Sequence, residues 1–73
     1  MEALAIYGEY IQLDQLLKKL DLISSGGETA AFLEMHKVLL NGNPVHEKRK
    51  KIRPGDTLAI DKKKWTITAG DTQ

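Results

Sequence analysis

The sequence predicts a small α+β domain in which a two-helix helix–turn–helix packs on a small, bent antiparallel sheet. Three observations carry that reading. Leu13, Leu16, Leu17 and Leu20 recur at the spacing of one helix face, and a second helical segment opens shortly afterwards. Asn41-Gly42 then marks a tight hairpin, because both residue types tolerate φ > 0. Beyond it, residues 57–60 and 65–68 alternate with the period of strands that bury one face.

Residues 3–7 alternate weakly, with Leu4 and Ile6 on one face, until Gly8 interrupts them. They predict a short first strand, and a hairpin with Tyr10-Ile11 is the nearest pairing open to it. In the first helix the leucine stripe faces inward, with Asp14, Gln15, Lys18 and Lys19 on the other side. Asp14 and Lys18 form an i,i+4 pair in the favourable orientation, worth roughly a few tenths of a kcal/mol. Ser25-Gly26-Gly27-Glu28 reads as a capping box that starts the second helix, and Ala30, Ala31, Phe32, Leu33 and Met35 carry it to about His36. Val38 to Leu40 is a strand running into the Asn-Gly turn, and Asn43-Pro44-Val45 returns from it. Residues 46–51 are too polar for a core element and read as a loop or exposed edge. Pro54-Gly55 is a turn, and residues 61–63 form a charged turn between the last two strands. Residues 70–73 are expected to fray. With no repeat and no linker, residues 1–73 read as one domain.

Size and composition narrow the function. A chain of 73 residues has a modest core and little room for a deep substrate pocket. There is no cysteine, so neither a disulfide framework nor a thiolate zinc site is available. Apolar runs such as Val38-Leu39-Leu40 are far below the ~20 residues that span a bilayer, and no basic-then-apolar signal segment opens the chain. The expectation is a cytoplasmic, monomeric protein with no membrane partner, cofactor or small-molecule substrate. The net charge of +1 conceals a separation. Residues 1–36 carry six acids and two lysines, whereas residues 37–64 carry nine cations and three acids. Nine cations cannot be buried in so small a domain, so they form a surface suited to a polyanion.

The candidate contacts follow from that surface. Lys48, Arg49, Lys50, Lys51 and Arg53 form a cluster that suits the phosphates of a folded nucleic acid. A merely solvated loop is the plainer alternative. Two glycines in the first turn of a helix cost up to ~1 kcal/mol each. Ser25, Gly26 and Gly27 therefore admit either close approach of a phosphate backbone, or close helix–helix contact and simple capping. His36 reads as a structural complement to the dipole of the second helix, while Lys37 fits that role and a contact to RNA equally. Tyr7, Tyr10, Phe32 and Trp65 lie in apolar alternations and not between basic residues, as a base-stacking platform would require, and Phe32 and Trp65 are assigned to the core. His36 and His46 match no compact metal motif. Ser24, Ser25, His36 and Asp56 have the residue types of a triad, but nothing fixes their geometry. No catalytic or metal site is assigned.

Residues 12–56 resemble the small RNA-binding module first defined in ribosomal protein S-four, the alpha-L motif. Leu13-Asp14 and Leu17-Lys18 in the first helix, Ser24-Ser25 in the turn, Val38-Leu39-Leu40-Asn41-Gly42 in the hairpin, Lys51-Ile52 and the closing Pro54-Gly55-Asp56 occur in the family's order. Ser25-Gly26-Gly27, Phe32-Leu33, His36 and Val38-Leu39 are similar to the stand-alone bacterial YaaA subgroup. The resemblance implies non-catalytic binding of structured RNA, rRNA or tRNA, in a ribosome-associated role. It implies contact through the two helices and the hairpin. Gln12 stands where the family commonly has arginine, and Gly26, Ala30 and Glu34 stand where the second helix is usually basic. Contact is therefore expected to shift to Lys18, Lys19, Lys37 and residues 48–53, with Gly26 and Gly27 offering backbone donors. A helix–turn–helix DNA binder and a protein adaptor in ribosome assembly are the other readings. The second helix, with Ala30, Ala31, Phe32, Leu33 and Glu34, offers few groups that read bases.

Overall fold

The computed structural model describes residues 2–70. Strand β1 (Glu2–Ile6) is followed by a short β2 (Ile11–Gln12) and helix α1 (Leu13–Lys19). A 3-10 turn (Gly26–Glu28) opens α2 (Thr29–Met35). Strands β3 (Val38–Leu40), β4 (Asn43–Pro44), β5 (Lys51–Ile52), β6 (Thr57–Ile60) and β7 (Lys63–Ala69) complete the chain. Five strands form one sheet in the order β1-β7-β6-β3-β4, and β2 pairs with β5 as a separate antiparallel ribbon.

The leucine stripe folds as its spacing requires: Leu13, Leu16 and Leu17 are fully buried, and Leu20 is half-buried at the end of α1. They share a core with Ile6, Val38, Leu40, Leu58, Ile60 and Ile67 from one face of the sheet, together with Phe32 and Trp65. The capping box is present. The Glu28 carboxylate accepts from the amides of Ser24 and Ser25, each at 3.0 Å. The glycines begin the helix as a 3-10 turn, and the α-helix proper runs only to Met35, because His36 is extended. Asn41 and Gly42 have φ of 53° and 86°, as a type I′ hairpin demands. Pro44 lies on the outer strand β4, where a missing N–H is tolerated.

Three expectations about the sheet are corrected. First, β1 makes no hairpin with Tyr10-Ile11. It runs parallel to β7, with Leu4 opposite Ile67, so the sheet is mixed and not wholly antiparallel. That position lets Leu4 and Ile6 extend the buried face, which pairing with a two-residue partner could not do. Gly8, at φ 87°, turns the chain away, and Ile11 pairs with the fully buried Ile52. Second, β7 begins at Lys63, so only Asp61 and Lys62 make the preceding turn. Third, Gly70 is held rather than frayed, since its amide donates to the Ile6 carbonyl at 2.6 Å. The remainder of the expected frayed end, residues 71–73, lies outside the described residues.

Candidate nucleic-acid interface

The basic run after the hairpin is anchored at both ends, by buried Val45 and buried Ile52. Between them its backbone docks on α1. The Lys50 carbonyl accepts the Leu13 amide N–H and the Lys48 carbonyl accepts that of Asp14, both at 2.9 Å. These are first-turn donors for which a helix has no internal partner, so the loop completes the helix and the helix orders the loop. Lys48, Arg49, Lys50, Lys51 and Arg53 are all exposed. Among the described residues none of the five forms an ion pair with a carboxylate. An ordered backbone carrying unpaired cations can take phosphates without first paying much ordering entropy.

Arg53 is fixed by a clamp whose two halves are far apart in sequence. Its amide donates to the Asp56 carboxylate at 2.8 Å, and the other Asp56 oxygen accepts from Asn41 Nδ2 at 3.0 Å. Asn41 Oδ1 in turn accepts the Thr57 amide at 2.9 Å. The Asn-Gly turn and the Pro-Gly-Asp turn are thus one device, which sets the hairpin beside the basic run. A shallow groove between them is lined by Asn41, Asn43, His46 and Lys50 among others.

Several of the remaining candidates gather at the same place. Gln12 is paired with Lys51 across the β2–β5 ribbon. Gly26 lies beside the first turn of α1, where an added Cβ would stand 3.6 Å from Asp14 Oδ2. At Gly27 the nearest atom would be Ser25 Oγ at 3.8 Å. Both are ordinary contacts, so close helix–helix packing does not require either glycine. Lys18 and Lys19 are exposed at the opposite end of α1, and Lys19 Nζ is 5.6 Å from the centre of the Tyr7 ring.

Lys37 is not brought to the loop. It lies at the other end of the sheet, where its amide donates to Asp61 Oδ1 at 3.0 Å and its carbonyl accepts the Asp61 amide at 2.8 Å. Exposed Lys62, Lys63 and Lys64 join it there. These three lysines are not among the contacts expected from sequence; the turn between β6 and β7 is the signal that places them beside Asp61. His36 is structural, but as a tie between α2 and the β6–β7 turn and not as the expected complement to the helix dipole. Its Nδ1 is 2.6 Å from Asp61 Oδ2, and its ring stacks on Phe32 with centres 4.2 Å apart. The hydrogen bond to His36, and then that from the Lys37 amide, hold the Asp61 carboxyl below its ordinary pKa.

One reading of the aromatics is corrected. Tyr10, isolated from basic residues in sequence, has Lys51 Nζ 4.9 Å from its ring centre. Two matching alternations, Tyr10-Ile11-Gln12 and Lys51-Ile52-Arg53, held the signal, but only the pairing of Ile11 with Ile52 brings them together.

The residue types of a triad are dispersed: His36 binds Asp61, Asp56 binds Asn41 and the Arg53 amide, and the amides of Ser24 and Ser25 serve Glu28. Among the described residues no group of three or more His, Cys, Asp or Glu could hold a metal ion, and no helix is long and apolar enough to cross a membrane.

The family model described as S4 domain matches residues 4–68, from within β1 to within β7. The chain belongs to the S4 domain family. It is also similar to the "Probable ribosome maturation protein RlbA" of Bacillus subtilis (strain 168), with 40% identity over 58 residues, covering 80% of this chain and 82% of that protein. The S4 domain match takes in the helix pair, the hairpin, the basic run and the β2–β5 ribbon together.

Proposed function

We propose that this chain is a non-catalytic RNA-binding protein that recognises structured RNA, rRNA or tRNA, through the basic run at residues 48–53. The observation that carries the proposal is the docking of that run on α1 through the Leu13 and Asp14 amides, with five exposed cations that form no ion pair among the described residues. Recognition is by phosphate placement and shape, as suits duplex RNA whose deep major groove excludes side chains. Gln12, Ser25, Gly26 and Gly27 flank the run; Lys18 and Lys19 are more distant contacts, and Lys37, at the Asp61 end of the sheet, lies farthest from it. Membership of the S4 domain family supports RNA as the ligand, and the name of the similar protein supports a ribosome-associated role, which we read as that of a cytoplasmic monomer. Duplex DNA is disfavoured because the exposed side of α2 presents Ala30, Ala31, Glu34 and Met35, which offer little to read bases.

The test is the salt dependence of binding to a folded RNA. Replacing Lys48, Arg49, Lys50 and Lys51 together by glutamine is expected to lower the slope of log K against log salt by about two to four. An unchanged slope removes the loop from the interface.

A further inference from the structure

We propose that the outer face of the β2–β5 ribbon is a binding site for an unpaired nucleotide, whose base stacks on Tyr10 while Lys51 and Arg53 hold the adjoining phosphates. The proposal rests on the RNA-binding reading above and extends it from paired to unpaired RNA.

The ribbon has two unlike faces. Ile11 opposes Ile52 on the inner one, and Ile52 is fully buried in the core. Gln12 opposes Lys51, so these side chains project from the other face. Tyr10 is two residues before Gln12 and Arg53 two residues after Lys51; continued alternation puts both on that outer face. The approach of Lys51 Nζ to within 4.9 Å of the Tyr10 ring centre is the diagonal contact expected of such neighbours. Tyr10 is 41% exposed, although its backbone lies next to the anchored ribbon.

A ring, an amide and two cations on one small face meet the separate needs of a nucleotide. An aromatic face stacks any base, the Gln12 amide can donate to and accept from a base edge, and the cations neutralise phosphate. Lys51 leaves the ring for the phosphate as the base arrives, exchanging an exposed cation–π contact for a charge-assisted one. Tyr7 is a weaker site. It is more exposed, at 59%, but it lies against Gly70 and under Lys19, away from the basic run.

The experiment compares two RNAs: a blunt duplex, and the same duplex carrying a short single-stranded extension that contains a purine analogue whose fluorescence dims on stacking. Wild type and Tyr10→Phe are expected to bind the extended RNA more tightly and to dim the analogue. Tyr10→Leu is expected to bind the extended RNA roughly tenfold more weakly, with little dimming and unchanged affinity for the blunt duplex. Thermal melts check that each variant is folded. Equal affinities of wild type and Tyr10→Leu for the extended RNA, or equal losses on both RNAs, overturn the nucleotide site and leave the duplex reading standing. If the wild type binds neither RNA, the RNA-binding reading fails and the nucleotide site falls with it.

Discussion

Asp56 and Asp61 do the same work at opposite ends of the sheet. Each shares its carboxylate between a backbone amide and a side chain from another element: Arg53 and Asn41 for Asp56, Lys37 and His36 for Asp61. Asn41 was legible as a turn former because φ > 0 is a local demand. Its tie to Asp56 was not, because the partners are 15 residues apart and only the sheet register joins them. Asp61 gives a test in pH. Its folded-state pKa lies below the ordinary one, so its contribution is complete above the usual carboxylate range and is lost as pH falls through the depressed value. Asp61 also has φ 54°, which asparagine tolerates, so Asp61→Asn removes the charge without straining the turn. The variant is expected to have a lower urea midpoint than wild type at neutral pH. The two midpoints should converge as pH falls below the usual carboxylate range, about 4, and through the depressed value. A gap that persists undiminished into acid would show that the carboxylate charge contributes nothing there.

At the scale of elements, what is local was legible and what is paired at a distance was not. The leucine stripe, the capping box and the Asn-Gly hairpin each announce themselves within a few residues, and each formed. The placement of β1 depends on β7 at the far end of the chain, and two-residue strands such as β2 and β5 are too short to show a period. The start of α2 is half legible, for two successive glycines stand out in the sequence but the sequence alone does not say what they are for. Their surroundings leave room for a methyl group, and neither has a left-handed φ. Alanine at either position should therefore stabilise the fold by about 0.4–1 kcal/mol, by restricting the unfolded chain. If an RNA backbone approaches this turn, the same methyl group obstructs it. Gly26→Ala and Gly27→Ala are thus expected to raise the melting temperature while weakening RNA binding severalfold. Higher stability with unchanged affinity would take the glycine turn out of the interface, a result that the nearby Asp14 carboxylate would then explain.

At the scale of the whole molecule, the charge separation along the sequence becomes a division within the basic half itself. Composition required a basic surface in residues 37–64, and the fold splits it in two. Arg53 and the docked run lie by the start of β6, where Asn41 meets Thr57, whereas Lys37 and Lys62 to Lys64 lie by its end, around Asp61. Short sequence separation hid this, because β6 carries the chain from one pole to the other in only four residues. A strand of that length spans ~13 Å, more than the ~8 Å Debye length at physiological salt, so the two poles are largely screened from each other. Each should then contribute to phosphate binding only where RNA touches it. Replacing Lys62, Lys63 and Lys64 together by glutamine removes nearly as much charge as neutralising residues 48–51. It is nevertheless expected to leave the salt slope close to that of wild type, while the loop substitutions flatten it. The comparison is internally controlled, since both variants alter exposed lysines or arginines and the core is untouched. Comparable flattening by the two variants would mean that RNA follows β6 from pole to pole, and that net charge rather than the docked loop sets the affinity.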